Sequence, residues 1–149
     1  MLRGRMRNAT AMNRYFMFKL ILILALLQGA FGLMRAYNWV SIGADLFKQG
    51  VLLMPSLGAV AILRGLLIAL VAFLYLLFVC CAPLKMRPGW IAGCFAAVIN
   101  LLLVINAVVY EAPLSEATGW AIVPMILLLY LLSRTGRDQM SLSAEPLER

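Results

Sequence analysis

The sequence predicts an all-α polytopic membrane protein whose four transmembrane helices form an up-down-up-down bundle. An amphipathic helix is expected between helices 1 and 2, in the membrane interface on the side opposite the cytoplasm. Three observations predict this fold. Hydrophobic residues make up 64% of the 149 residues and charged residues only 13%, whereas about a quarter of a soluble domain is charged. Four apolar stretches follow one another along the chain. Basic residues collect in alternate connections between them, so the whole chain is expected to form one membrane domain.

The chain begins with a basic arm over residues 1–14 and a first span over residues 15–34. The arm carries Arg3, Arg5, Arg7 and Arg14. The span contains 20 residues, about 30 Å of helix, which matches the hydrocarbon thickness of a bilayer. A signal peptide and an Arg-rich mitochondrial presequence are the alternatives for this region, and the length of the apolar run favours an uncleaved span.

Residues 38–54 have a polar face and an apolar face at helical spacing. The polar face contains Asn38, Ser41, Asp45, Lys48 and Gln49, and the apolar face contains Trp39, Ile42, Leu46, Phe47, Val51 and Leu53. This pattern is typical of a helix that lies in the membrane interface. An ordered loop is the alternative.

Three further spans are predicted over residues 57–82, 90–110 and 119–132. The second is longer than the hydrocarbon core requires, so either it tilts or residues 51–63 form a separate re-entrant piece. Pro124 is expected in the first turns of the last span, where its missing N–H is tolerated. The polar residues 134–149 are predicted to be a disordered cytoplasmic tail.

The distribution of basic residues predicts the orientation. Ten of the 13 Lys and Arg residues lie in the N-terminal region up to Lys19, in the 83–89 turn and in the C-terminal tail. Cytoplasmic segments of membrane proteins carry such an excess, so both termini are expected on the cytoplasmic side. The preferred location is the bacterial plasma membrane, with the mitochondrial inner membrane as the alternative.

Arg64 is the most unusual residue, because an arginine within an apolar run is costly and by default indicates function. Glu111 and Asp45 are its expected partners on the outer side, and we hypothesise that Arg64 pairs with Glu111. A functional role would be contact with an anion or a lipid headgroup, or gating. The structural alternative is a snorkelling arginine paired with an outer acid.

Three amides lie within the spans, namely Gln28, Asn100 and Asn106. Amides in hydrocarbon form hydrogen bonds between helices, and a polar lining for a solute path is the functional alternative. Asn100 and Asn106 are six residues apart, so they point about 120° away from each other on a helix. They are therefore not expected to line one narrow path.

The sequence favours no catalytic, cofactor or metal site. Histidine is absent, no carboxylate lies within a span, and no nucleophile has a nearby base. No basic stripe contains the aromatic residues that stack on nucleic-acid bases. We therefore expect a non-enzymatic accessory or scaffolding membrane component that acts through helix packing, with the lipid bilayer, a membrane protein or further copies of itself as partners. The alternatives are a small homo-oligomeric transporter or channel, with Arg64, Gln28 and Asn100 near its path, and an enzyme acting on a lipid headgroup.

Overall fold

The computed structural model describes the backbone of residues 2–48, 54–84, 87–110 and 114–139, and no strand occurs in these ranges. Side chains are described for residues 15–48, 56–84, 87–109, 120–133 and 135–137. The helices are α1 (Leu2–Lys48), α2 (Met54–Cys81), α3 (Arg87–Tyr110), α4 (Leu114–Leu132) and α5 (Arg134–Gln139). The protein is therefore all-helical in the part of the chain that the structure describes.

Three of these helices contain a segment that is long and apolar enough to cross a membrane. The segments are Tyr15–Lys48 in α1, Ser56–Cys81 in α2 and Arg87–Val109 in α3. The apolar part of α4 over Trp120–Leu132 is shorter. Large apolar side chains remain exposed along these helices, including Phe73, Phe95 and Leu129. Water does not favour so much apolar surface, whereas lipid does, and this supports a membrane location.

Helices α1 and α2 run antiparallel, and so do α3 and α4. Gly43 and Gly58 bring the start of α2 against the end of α1, since a Cβ on Gly43 would lie 2.8 Å from the carbonyl oxygen of Gly58. The indole Nε1 of Trp90, near the start of α3, donates a hydrogen bond to the carbonyl oxygen of Leu131, near the end of α4 (3.1 Å). The α1 start, the α2–α3 connection and the α4 end therefore share one end of the molecule. We call this the basic end, because Lys19, Arg87 and Arg137 lie towards it.

Residues 38–48 do not form the separate interfacial helix that was expected over residues 38–54. Residues 38–48 continue α1 without a break, and residues 49–53 lie outside the described part of the chain. The reason is a second stripe at helical spacing, in which Ala36, Val40, Gly43 and Phe47 face α2. No glycine or proline interrupts residues 33–42, so nothing ends the first helix before this stripe packs.

The structure defines three other boundaries. Residues 54–63 are part of the continuous helix α2, which agrees with the alternative of one long second helix and not with a re-entrant piece over these residues. Helix α4 begins at Leu114, so Pro124 lies in the helix interior rather than in its first turns. Pro124 is buried and has no N–H to donate to the carbonyl of Trp120. The basic arm of residues 1–14 is part of α1, which begins at Leu2.

The predicted disordered tail of residues 134–149 also needs correction at its start, because Arg134–Gln139 form α5. The Ser133 hydroxyl caps this helix by accepting a hydrogen bond from the Gly136 N–H (3.1 Å). Arg137 donates through Nε and Nη2 to the carbonyl oxygen of Leu132, at 3.2 Å and 2.9 Å. The first contact satisfies a backbone N–H of α5, and the second satisfies the last backbone carbonyl of α4.

A dry core lies towards the basic end and receives side chains from four helices. Ile21, Ala25, Val71, Tyr75, Phe78, Ala82, Ala96, Ala97, Leu127 and Leu131 form one buried apolar cluster. Gly93 lets α3 approach closely, since a Cβ there would lie 2.7 Å from Phe78 Cδ2 and 3.0 Å from Leu131 Cδ1. This half of the molecule is therefore closely packed.

Candidate functional site

A cavity of about 410 Å³ lies next to the dry core, on the side away from the basic end, and it is partly open at the surface. Helices α1, α2 and α3 supply most of its wall, and Trp120 contributes from α4. Val71 and Tyr75 belong both to the cavity wall and to the core. The core therefore forms the floor of the cavity.

Two arginines line the cavity at the same level. A Cβ on Gly65 would lie 3.0 Å from the carbonyl oxygen of Ala36, so the backbones of α1 and α2 touch at these two residues. Arg64 and Arg35 each precede one of them, and both line the cavity. The described lining residues include no acid. This end of the cavity therefore carries two positive charges on its described wall.

Each arginine stacks on a tryptophan. The guanidinium carbon of Arg35 lies 3.7 Å from the centroid of the Trp120 ring, and that of Arg64 lies 4.4 Å from the Trp39 ring. A guanidinium stacked on an indole is held by its face, and its five N–H donors point outward in the plane. The ring contacts therefore restrict the orientation of both groups, and each arginine makes a further contact besides its tryptophan.

The deep end of the cavity is polar but uncharged. Asn100 Nδ2 donates a hydrogen bond to the hydroxyl oxygen of Tyr75 (3.2 Å). The Asn100 carbonyl oxygen and the Tyr75 hydroxyl hydrogen can still form further hydrogen bonds. Gln28 lies on the same cavity wall, and its amide makes no hydrogen bond to another described residue. These three residues form what we call the amide subsite.

Three of the residues singled out from the sequence meet in this cavity, namely Arg64, Gln28 and Asn100. Asn106 does not line it and is exposed on α3. The carboxylate of Asp45 contacts Lys48 Nζ at 3.3 Å on the surface. Glu111 lies outside the described residues, so its pairing with Arg64 stays a prediction.

Four cavity-wall residues whose side chains carry polar atoms were not predicted from the sequence, namely Arg35, Asn38, Tyr75 and Trp120. A signal for the first two was present, because Gln28, Phe31, Arg35 and Asn38 follow one another at spacings of three and four. Tyr75 and Trp120 gave no such signal.

Comparisons with protein families, with curated proteins and with solved structures find no match for this chain.

Proposed function

We propose that this chain is a non-enzymatic integral membrane protein that binds an anionic ligand in the cavity as an accessory component of its membrane. The observation that carries the proposal is the pair Arg35 and Arg64, which lie at one level on a single cavity wall. Guanidinium groups at one level can contact the same oxyanion through their N–H donors, and such charge-assisted hydrogen bonds are strong.

Each arginine can bind an anion in addition to its other contacts. A guanidinium has five N–H donors, so it can stack on an indole, contact a neighbouring carboxylate and bind a ligand oxygen at once. Paired N–H donors match the oxygen spacing of phosphates and carboxylates. Oxyanions are therefore the ligands that this end of the cavity fits best.

A continuous pore is less well supported than a binding site. Below the amide subsite, Phe78, Leu127 and Leu131 are fully buried in the dry core. A channel would need a path through this packing, which is dense and apolar. The transporter alternative would need a second arrangement of the helices.

The proposal includes four spans with both termini in the cytoplasm, in the bacterial plasma membrane or alternatively the mitochondrial inner membrane. Helix α4 has 19 residues, about 28 Å, and it ends beside the start of α3. The exposed Lys48 lies where α1 ends, away from the basic end, and the exposed Arg137 lies in α5 at the basic end. These two residues offer a matched pair for a labelling test.

We expect Lys48→Cys to be labelled by a membrane-impermeant maleimide in intact bacteria, and Arg137→Cys to be labelled only after the cells are opened. Both variants are made with serine at Cys80, Cys81 and Cys94. The expectation follows because four crossings place α5 on the same side as the α1 start. Labelling of both positions in intact cells would contradict it.

We expect inorganic phosphate to raise the thermal unfolding temperature of the protein in a neutral maltoside detergent by several degrees. Binding to the folded state stabilises it by about 2.7 kcal/mol at a ligand concentration of 100 Kd. Phosphate also stabilises proteins non-specifically, so the shift is compared between the wild type, Arg64→Gln and Lys48→Gln.

The Lys48→Gln control removes an exposed cation outside the cavity and should keep the full shift. Arg64→Gln should lose most of the phosphate-induced shift, which is measured from the unfolding temperature of this variant without phosphate. Equal shifts in Arg64→Gln and the wild type would overturn the proposed function.

A further inference from the structure

The cavity opens towards the surface that faces lipid. Phe31 and Met34 line it, yet their side chains are 65% and 62% exposed. Both lie within the segment of α1 that is long and apolar enough to cross a membrane, and in that position the opening beside them would face the bilayer. Helix α1 contacts α4 at few positions, so the described residues cover little of this side of the cavity. A ligand that partitions into lipid can therefore reach the cavity from the side.

The two ends of the cavity require different chemistry. Arg35 and Arg64 form the cationic end, and the amide subsite forms the neutral end. Gln28 precedes Arg35 by seven residues, about 10 Å along the helix. Apolar residues, including Ile68, Leu103 and Val104, complete the wall. A ligand that fits all three surfaces has a charged headgroup, a neutral oxygen-bearing group near it and an apolar body.

We propose that the cavity binds a single-chain phosphomonoester lipid that enters between α1 and α4. This inference rests on the proposed function and names its ligand class. The phosphate lies between Arg35 and Arg64, and the ester or hydroxyl oxygens of the linker meet the amide subsite. The acyl chain leaves through the opening beside Phe31.

The number of acceptor oxygens favours a phosphomonoester over a carboxylate, since a phosphomonoester has three terminal oxygens and a carboxylate has two. Three oxygens can accept hydrogen bonds from both arginines together. The amide subsite then distinguishes a lipid with an oxygen-bearing linker from a plain alkyl phosphate.

The test compares five probes on the full-length protein in neutral maltoside: inorganic phosphate, dodecyl phosphate, laurate, lauroyl lysophosphatidate and lauroyl lysophosphatidylcholine. The measured quantity is the concentration of each probe that gives half of its maximal thermal stabilisation. We expect lysophosphatidate to act at the lowest concentration, followed by dodecyl phosphate. Lysophosphatidylcholine, which partitions into micelles but has no net charge, should give no comparable shift.

Gln28→Leu tests the amide subsite separately from folding. Because the Gln28 amide makes no hydrogen bond to another described residue, replacing it with an apolar side chain of similar size should leave the fold as stable or more stable. We expect the variant to bind lysophosphatidate about fivefold more weakly, the loss of one neutral hydrogen bond. Dodecyl phosphate should bind equally to the variant and the wild type.

Asn106→Leu is the matched control, since it removes an exposed amide outside the cavity and should bind every probe like the wild type. Micelle partition of a probe is the same for each variant, so it cancels in these comparisons. If phosphate and both phospho-amphiphiles stabilise the wild type at equal concentrations, the lipid inference fails while the anion site stands. Equal effects of laurate or lysophosphatidylcholine and lysophosphatidate would also overturn the inference. No stabilisation by any probe would overturn both proposals.

Discussion

Replacing Gly43 with leucine is expected to destabilise the folded protein by at least about 1–3 kcal/mol, the usual cost of overpacking a tight contact. A Cβ on Gly43 would lie 2.6 Å from Ile62 Cγ1 and 2.8 Å from the carbonyl oxygen of Gly58. The second of these atoms belongs to the backbone of α2. It cannot move away by a rotamer change, so α1 and α2 must separate.

Thermal unfolding in detergent measures this effect, with Ala30→Leu as the control. Ala30 lies on the same helix and is exposed, so a larger side chain there meets lipid or detergent rather than protein. The loss should extend to ligand binding, because the α1–α2 contact also sets the relative level of Arg35 and Arg64. Unfolding temperatures for Gly43→Leu and Ala30→Leu within error of each other would show that the two helices do not pack as described.

Replacing both cavity arginines with glutamine is expected to abolish saturable anion binding. A hydrogen bond to a charged group contributes about 1.5–3 kcal/mol, so each single variant should bind phosphate at least about tenfold more weakly. The double variant Arg35→Gln with Arg64→Gln has no cation left among the described lining residues. Isothermal titration of the purified protein with phosphate measures these losses.

The matched control is Lys19→Gln with Lys48→Gln. It lowers the net charge by the same amount at two exposed positions outside the cavity, and it should bind phosphate like the wild type. If one anion contacts both arginines, the losses of phosphate-binding free energy in the two single variants will not add up to the loss in the double variant. The reason is that each guanidinium orients the ligand for the other. Equal weakening in the double variant and in this control would point to general charge attraction instead of a site.

Local patterns in the sequence were sufficient to predict the helical class and the polar residues of interest. The apolar runs predicted helices suited to a membrane, and the described residues contain three such helices. Arg64, Gln28 and Asn100 stood out because polar groups are costly in hydrocarbon. That these three share one cavity depends on contacts between distant parts of the chain, which no local pattern reports.

The parts that the sequence did not predict depend on the α1–α2 register. Small residues such as Gly43, Gly58 and Gly65 set this register by backbone contact, and glycines are too common in membrane helices to reveal a specific pairing. The polar face of residues 38–54 predicted a separate interfacial helix, since its competing small-residue stripe could be recognised only beside α2. Arg35 looked like an ordinary residue at the end of a span for the same reason.

Native mass spectrometry of the protein, extracted from its own membrane with a mild neutral detergent, tests most directly whether the cavity holds an anionic ligand. The wild type and the Lys19→Gln, Lys48→Gln control are expected to carry a bound anionic amphiphile. The Arg35→Gln, Arg64→Gln variant should lack this species while remaining folded. The same bound species at the same occupancy in all three proteins, or none in the wild type, would show that the cavity does not bind an anion through these arginines.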